Sequence, residues 1–427
     1  MRTTNPRRHF RSAALAIAAV LAIGCAPKQQ ANADGTPAAA GANELTFYTA
    51  LGQAEWNVLK QEVFPDFEKA NNVKIRAIDV ASKDIPLKLD ALRQAGRMDV
   101  DVIGQDNMAL AQLVQKDLME DLSAHEASIP KETIDALVDV GRFNGKLYFL
   151  PYRPNVEITF YNETYLNKHG LKPPANWDEL LAMAKTLYQR EGVGRVAIKA
   201  DGSDSGTVHL FDFVNAAGGD PLKLNDAGSV KAFTYLRELW PYLSPESRRA
   251  DFNTMNQFLA MESVYIGQNW PFGIEVIVNQ GEKKDIKAYH GWRGPVKEAH
   301  TLGGEVFGIP KGAPHKEMAL KFISYIQSRE VQTKLVQKLA WPSMRTDAYA
   351  EVPAWQKPYF EAVKEALQHA VARPNVPYWE DFDKSINMAF REIVVEGRDV
   401  QVTLDKYAAV LDTARRLKGD PAKAAAK

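Results

Sequence analysis

Cysteine is almost missing from this chain. Among 427 residues there is one, Cys25, so no intramolecular disulfide can form and the fold must rest on hydrophobic burial. A chain of this length can bury sizeable cores in two or three domains. Charge of either sign is also not in excess. Lys plus Arg and Asp plus Glu both number 53. If residues 1–24 are removed, Arg2, Arg7, Arg8 and Arg11 go with no acid, leaving 49 bases against 53 acids, a balance of −4. No basic stripe exists, which excludes nucleic acid as a partner. Catalytic signatures are missing as well. There is no phosphate loop, no dinucleotide glycine fingerprint and no His-Glu-x-x-His helix. Gly202-Ser-Asp-Ser-Gly206 carries Asp204 at its centre, so it reads as a solvated turn and not a nucleophile elbow. The eight histidines are scattered, with none at ligand spacing along a helix, so neither a metal site nor a cofactor is expected.

The one cysteine has a telling position. Before it stand a basic start, an apolar run from Ala13 to Ile23, and Gly24. This is the layout of a secretory signal peptide over 1–24, too short to span a membrane in the mature protein. Leu21-Ala22-Ile23-Gly24-Cys25 resembles a bacterial lipobox, with Ala22 where Leu is usual, and marks Cys25 for lipidation. Acyl chains would hold the exported protein to a membrane, in the periplasm or at the cell surface. The alternative is a plain signal peptide with an incidental cysteine. Arg7-Arg8-His9-Phe10 resembles a twin-arginine export signal. Residues 25–43, rich in Ala, Gly, Asn, Gln and Pro, read as a tether, and 418–427 as a disordered tail.

From Glu44 the chain alternates strand and helix. Strands are expected at Glu44–Ala50, Val73–Val80 and Val100–Gly104, with helices between them, Pro65 interrupting or restarting the first. Such a pattern implies a parallel sheet, with ligands outside the carboxyl ends of the strands, here near Gln53, Ser82 and Asp106. Further on, LPYRPNVEITFYN (Leu150 to Asn162) is stiffened by Pro151 and Pro154 and holds Tyr152, Arg153 and Asn155 on an extended crossing.

Aromatic residues beside planar polar groups recur outside the helices. Tyr152 neighbours Arg153 and Asn155, Trp270 lies between Asn269 and Pro271-Phe272, Trp341 precedes Pro342-Ser343, and Tyr378-Trp379 follow Arg373-Pro374-Asn375. Sugar binding needs this mixture: rings for the C–H faces of a pyranose, and carboxylates, amides and guanidinium groups for its hydroxyls. Core packing is the other reading of each tryptophan taken alone.

Several ordered segments then carry a resemblance: Val100–Ile103 with Asp106, Pro151-Tyr152 to Tyr161-Asn162, Gly170–Pro174 with Trp177–Leu180, Gly267–Phe272, Gly303–Lys311 and Ala372–Trp379. From about residue 45 to 415 the chain resembles the extracellular solute-binding proteins of ABC sugar importers, family 1, the trehalose/maltose-binding group. The resemblance implies a periplasmic-binding-protein-like type II α/β fold: two α/β domains, a ligand cleft and three interdomain crossings. The crossings would lie near Arg153–Val156, Leu302–Glu305 and Trp341–Arg345. Domain 1 would be 44–154 and 305–343, and domain 2 would be 155–304 and 344–417.

It also implies ligand contacts from Glu55, Asp106, Tyr152, Trp270 and Arg373, with backbone contacts at Gly303 and Gly304. Phe272 stands where Tyr is common, with one hydroxyl fewer, and Glu305 stands where Trp is common, exchanging a stacking platform for a carboxylate; a trehalose/maltose-like ligand is favoured, with a different sugar left open by Glu305. The implied protein is a monomeric, lipid-anchored binding subunit, not an enzyme. It would hand a sugar, an α-glucoside-like di- or oligosaccharide, to ABC permease subunits. Two alternatives stay open: the same fold with a sugar phosphate, polyol or other solute, and a secreted carbohydrate-active enzyme.

Overall fold

Residues 43–419 are described by the structure, a computed structural model. The expected signal peptide, Cys25, the tether up to residue 42 and the tail from residue 420 lie outside them.

Alternating apolar residues build the first strands. β1 (Glu44–Thr49) runs parallel to β2 (Lys74–Asp79) and β3 (Val102–Asp106). Leu45 and Phe47 point into the core. Pro65, expected to interrupt or restart the first helix, stands in the first turn of a restarted α-helical segment within a continuous helical stretch. The stretch runs from Gln53 to Asn71, with a wider π turn over Leu59–Val63 just before the proline. Proline has no N–H, and its ring crowds the preceding turn; the widened turn supplies the room. β3 starts two residues later than expected. The reason is Asp101, whose carboxylate accepts from Thr46 N (2.8 Å) and His315 N (2.9 Å) and works as a connector.

β4 (Arg142–Phe143) and β5 (Lys146–Leu147) form a small hairpin, with Asn144 and Gly145 both at positive φ. β6 (Phe149–Val156) is followed, after Glu157 alone, by β7 (Ile158–Asn162), which belongs to a second sheet. That sheet has the order β10-β7-β9-β8, with β8 (Val196–Ala197), β9 (Ile266–Asn269) and β10 (Ile286–Tyr289). The chain therefore changes sheets within one residue, immediately after Arg153–Val156.

β11 (His300–Gly308) makes the return. Along one side it pairs with β6 from Leu302 to Gly308. Its first residues, His300–Leu302, also pair with β12 (Ala370–Ala372), and its last, Glu305–Gly308, with β3. One strand thus begins in one lobe and ends in the other. Gly304 allows this: its φ is +117°, and a Cβ there would come within 2.3 Å of the Arg153 carbonyl oxygen. The third passage follows the helix Arg329–Leu339, which ends in Ala340 at φ +52° and leads into Trp341.

Each lobe has its own interior. Phe47, Phe64, Phe67 and Phe307 gather around Phe322 in the first. In the second, Trp177 stacks on Tyr235 at 4.4 Å, and Phe382, Ile386 and Leu411 fill the space behind. The helix Arg329–Leu339 serves both interiors: Leu335 and Leu339 pack with the first, while Val336 and Ala340 pack with Val156, Phe160 and Val363.

Candidate ligand-binding site

Strand ends and crossings deliver two neighbouring groups of side chains. The first is Asp106, Trp270, Gly303 and Arg373. Asp106 ends β3 and its carboxylate accepts from Met108 N at 3.0 Å, which fixes it at the start of the next turn. Arg373, one residue past β12, reaches it from the other lobe: Nη2 is 2.8 Å from Oδ1 and 3.0 Å from Oδ2. Trp270, one residue past β9, is half-buried. Its ring lies on Gly303, so that a Cβ there would come within 2.8 Å of Cη2. The Lys199 ammonium is 5.4 Å from the ring centre. An apolar plate, a carboxylate and a guanidinium therefore converge on a strip of bare backbone.

The second group is Glu55, Arg153, Glu305 and Trp341, almost entirely out of water. Arg153 donates through Nε and Nη2 to Glu305 (2.5 and 2.9 Å) and through Nη1 to Glu55 Oε1 (3.2 Å). Its guanidinium lies 3.8 Å from the centre of the Trp341 ring, whose Nε1 donates to Glu55 Oε1 at 2.6 Å. Burial pushes the Glu305 carboxyl up, and the Arg153 charge pulls it partly back. Burial alone would lower Arg153, but Glu305 and Glu55 outweigh it and keep the group charged.

The remaining expected residues are placed differently. Tyr152 does not face the cleft. It stacks on Phe307 at 4.0 Å and meets Trp341 edge-on, because alternation along β6 turns residue 152 inward. Trp341 is equally interior. Tyr378 lies in the core of the second lobe, where its hydroxyl accepts from Arg415 Nε at 3.3 Å. Phe272 packs edge-on to Phe252, and Gln53 is exposed and donates along its own helix to Asn57 (2.9 Å). Asn155 stands opposite Gly303 in register, its Oδ1 buried with no hydrogen-bond partner among the described residues.

Three residues join the site without having been expected in it. Asn107 donates to the Leu302 carbonyl (3.3 Å), and Asn375 accepts from Ala111 N across the cleft (2.7 Å). Both lie in stretches whose neighbours were singled out. Lys199 gave no such signal: it lies two residues past β8, and its partner Glu157 is 42 residues away.

The arrangement is a polar, aromatic cleft between two lobes that touch through Asp106–Arg373 and Ala111–Asn375. The family model described as bacterial extracellular solute-binding protein matches residues 62–362. The chain belongs to that family. Its members are binding proteins that work outside the cytoplasm with ABC transporters. Among curated relatives, the chain is 23% identical over 414 residues to the arabinooligosaccharide-binding protein of Bacillus subtilis, covering 86% of this chain and 90% of that one. It is also 23% identical over 297 residues to a probable ABC transporter-binding protein of Deinococcus radiodurans, covering 65% and 70%. Among solved structures, maltose-bound MalE3 of T. maritima superposes with a TM-score of 0.79 at 21% identity, covering 87% of this chain and all of that one. The GacH receptor of Streptomyces glaucescens, solved unliganded and with acarbose, gives 0.75 at 19%, covering 88% and 98%. The fold of this solute-binding protein is thus the type II periplasmic binding arrangement of two α/β domains. No helix among its described residues is long and apolar enough to cross a membrane.

Proposed function

We propose that this solute-binding protein captures a sugar between its lobes and presents it to ABC permease subunits. The observation that carries the reading is Trp270: a half-buried ring laid against bare Gly303 and bordered by the Asp106–Arg373 pair. A pyranose needs a flat apolar face beside groups that accept and donate hydrogen bonds around its rim. The arabinooligosaccharide named for the Bacillus subtilis relative favours a di- or oligosaccharide, and the maltose and acarbose in the solved neighbours favour one of α-glucoside type. Glu305 gives its carboxylate to Arg153, so it offers the ligand neither a ring nor a free acid.

The same pairing argues against a sugar phosphate. Of the four cations that could hold a phosphate, Arg153, Arg345 and Arg373 are each already ion-paired with carboxylates, which leaves Lys83. Anchoring through a lipidated Cys25 is part of the proposal. Cys25→Ser should release the protein from membranes on cell fractionation.

Calorimetry over a sugar panel, with wild type and Trp270→Ala, tests the assignment. One sugar should bind stoichiometrically to wild type and be recovered intact, and Trp270→Ala should weaken it by about a hundredfold, the loss of roughly 3 kcal/mol of stacking and burial. Unchanged affinity in the variant would remove Trp270 from the site. Turnover of the sugar would move the protein to the enzyme reading.

A further inference from the structure

Histidines that lie far apart in the sequence meet beside the crossing strand. His290 follows β10, His300 opens β11 and His369 precedes β12. Between them stands Glu298. Its Oε1 is 2.5 Å from His290 Nδ1 and 2.7 Å from His300 Nε2, and its Oε2 is 3.9 Å from His369 Nε2. The donor atoms of His290, Glu298 and His300 all lie within 4.8 Å of one another. The scattering of histidines along the sequence had argued against any metal site; the folded chain reverses that argument.

We propose that His290, Glu298 and His300 form a site for a divalent cation of the zinc type, with His369 beside the fourth position. Two imidazoles and one carboxylate are an established donor set for Zn²⁺. Metal–ligand bonds of about 2.0–2.2 Å set neighbouring donors roughly 3.3 Å apart in a tetrahedron. The two Glu298–His contacts, 2.5 and 2.7 Å, need to open by less than about 1 Å to match it, and the two imidazole donors lie within 4.8 Å of each other.

The supports differ in stiffness, as a site needs. His300 is wholly buried in β11 and donates its backbone N–H to the His369 carbonyl at 3.1 Å, which ties the two histidine-bearing segments together. Gly291 lets the chain pass close to the His300 ring; a Cβ there would come within 2.7 Å of Cε1. The side chains of His290 and His369 are 33% and 45% exposed, so a cation has a way in from solvent. Glu365, 3.9 Å from His290 Nε2, adds a second negative charge at this opening.

Behind the ligands, polar atoms are left without partners. His300 Nδ1 and Asp212 Oδ2 are both buried with no hydrogen-bond partner among the described residues. Metal-bound histidines usually donate their second N–H to a carboxylate or carbonyl. The bland alternative is a Glu–His clasp that only ties β10 to β11. It accounts for the two short hydrogen bonds but not for a third histidine and a second carboxylate at the solvent-facing side.

The test uses the full mature chain, stripped with chelator and dialysed. Zn²⁺ titrated calorimetrically should bind at one equivalent, and Co²⁺ should give the visible absorption of a tetrahedral site. His290→Asn and Glu298→Gln should each weaken Zn²⁺ by about a hundredfold and abolish the Co²⁺ band. His125→Ala, in the first lobe, should change neither. His290→Asn alters a partly exposed side chain, so its metal-free melting temperature should stay near that of wild type, which separates lost binding from lost folding. No Co²⁺ band in wild type, or Zn²⁺ binding that His290→Asn leaves unchanged, would overturn the site and leave the clasp.

Discussion

Arg153 and Glu305 are register partners on β6 and β11 and close a two-bond ion pair, 2.5 and 2.9 Å, where the chain crosses between lobes. The pair joins the first crossing to the second. Breaking a buried pair leaves an uncompensated charge, at a cost of about 3–5 kcal/mol. Arg153→Met strands both Glu305 and Glu55, so urea unfolding should show a loss at the top of that range. Glu305→Gln keeps the shape and leaves Arg153 its bond to Glu55 (3.2 Å), so its loss should stay near 1–2 kcal/mol. Equal losses for the two variants would contradict this ordering.

Adjacent glycines should fail in different ways. At Gly304 a methyl group meets backbone, the Arg153 carbonyl at 2.3 Å, from a φ of +117°. Gly304→Ala should cost about 3 kcal/mol or more in stability. At Gly303 a methyl group meets the movable Trp270 ring. Gly303→Ala should leave the melting temperature within a few degrees of wild type but weaken sugar binding about tenfold. A Gly303→Ala protein that binds normally would show that the ring position on the backbone is unimportant.

Closure of the lobes should depend on Asp106 and Arg373. Arg373 is almost fully buried and meets both Asp106 oxygens, so the pair belongs with charge-assisted bonds worth roughly 1.5–3 kcal/mol. Losing about 1.4 kcal/mol shifts an open–closed equilibrium tenfold. Small-angle scattering of Asp106→Asn should therefore show a larger radius of gyration than wild type, and ligand should reverse only part of the difference. An identical scattering profile would place the control of closure elsewhere, with Ala111–Asn375 the next contact to break.

Much of this geometry was readable from local chemistry. The prolines around Arg153 announced an extended crossing, and Asn162 caps the next helix through Tyr165 N (2.9 Å), as packing within the second lobe required. Asp106, Trp270, Gly303 and Arg373 stood at strand ends or crossings, where ligands are met, and the fold brings those four together. Tyr152 and Tyr378 were not legible in this way, because an aromatic near an arginine in the sequence looks the same whether it faces a sugar or a core; the structure places both rings in the interior. β10 and β12 were missed because strands of four and three residues carry almost no periodicity. The histidine cluster was invisible for a different reason: His290 comes from the end of β10 and His369 from the start of β12, and only the folded chain brings them to Glu298 and His300 at the start of β11.

Lys199 should be the most costly single lysine to remove. Its ammonium is wholly buried and contacts the Glu157 carboxylate, and Glu157 is the one residue between β6 and β7. His209 completes the set: Nδ1 accepts from Lys199 N at 2.8 Å, so Nε2 carries the proton and faces Glu157 Oε2 at 2.9 Å. Burial and the neighbouring Lys199 charge hold that imidazole neutral, well below its ordinary value. Lys199→Met leaves Glu157 with no cation in a dry crossing and should cost about 3–5 kcal/mol in urea unfolding. The double variant Lys199→Met/Glu157→Leu removes both charges and should recover most of that loss, since apolar pairs replace buried ion pairs at little cost. Additive losses in this cycle would mean that the two charges do not depend on each other, and that the crossing is held by β6 pairing with β11 alone.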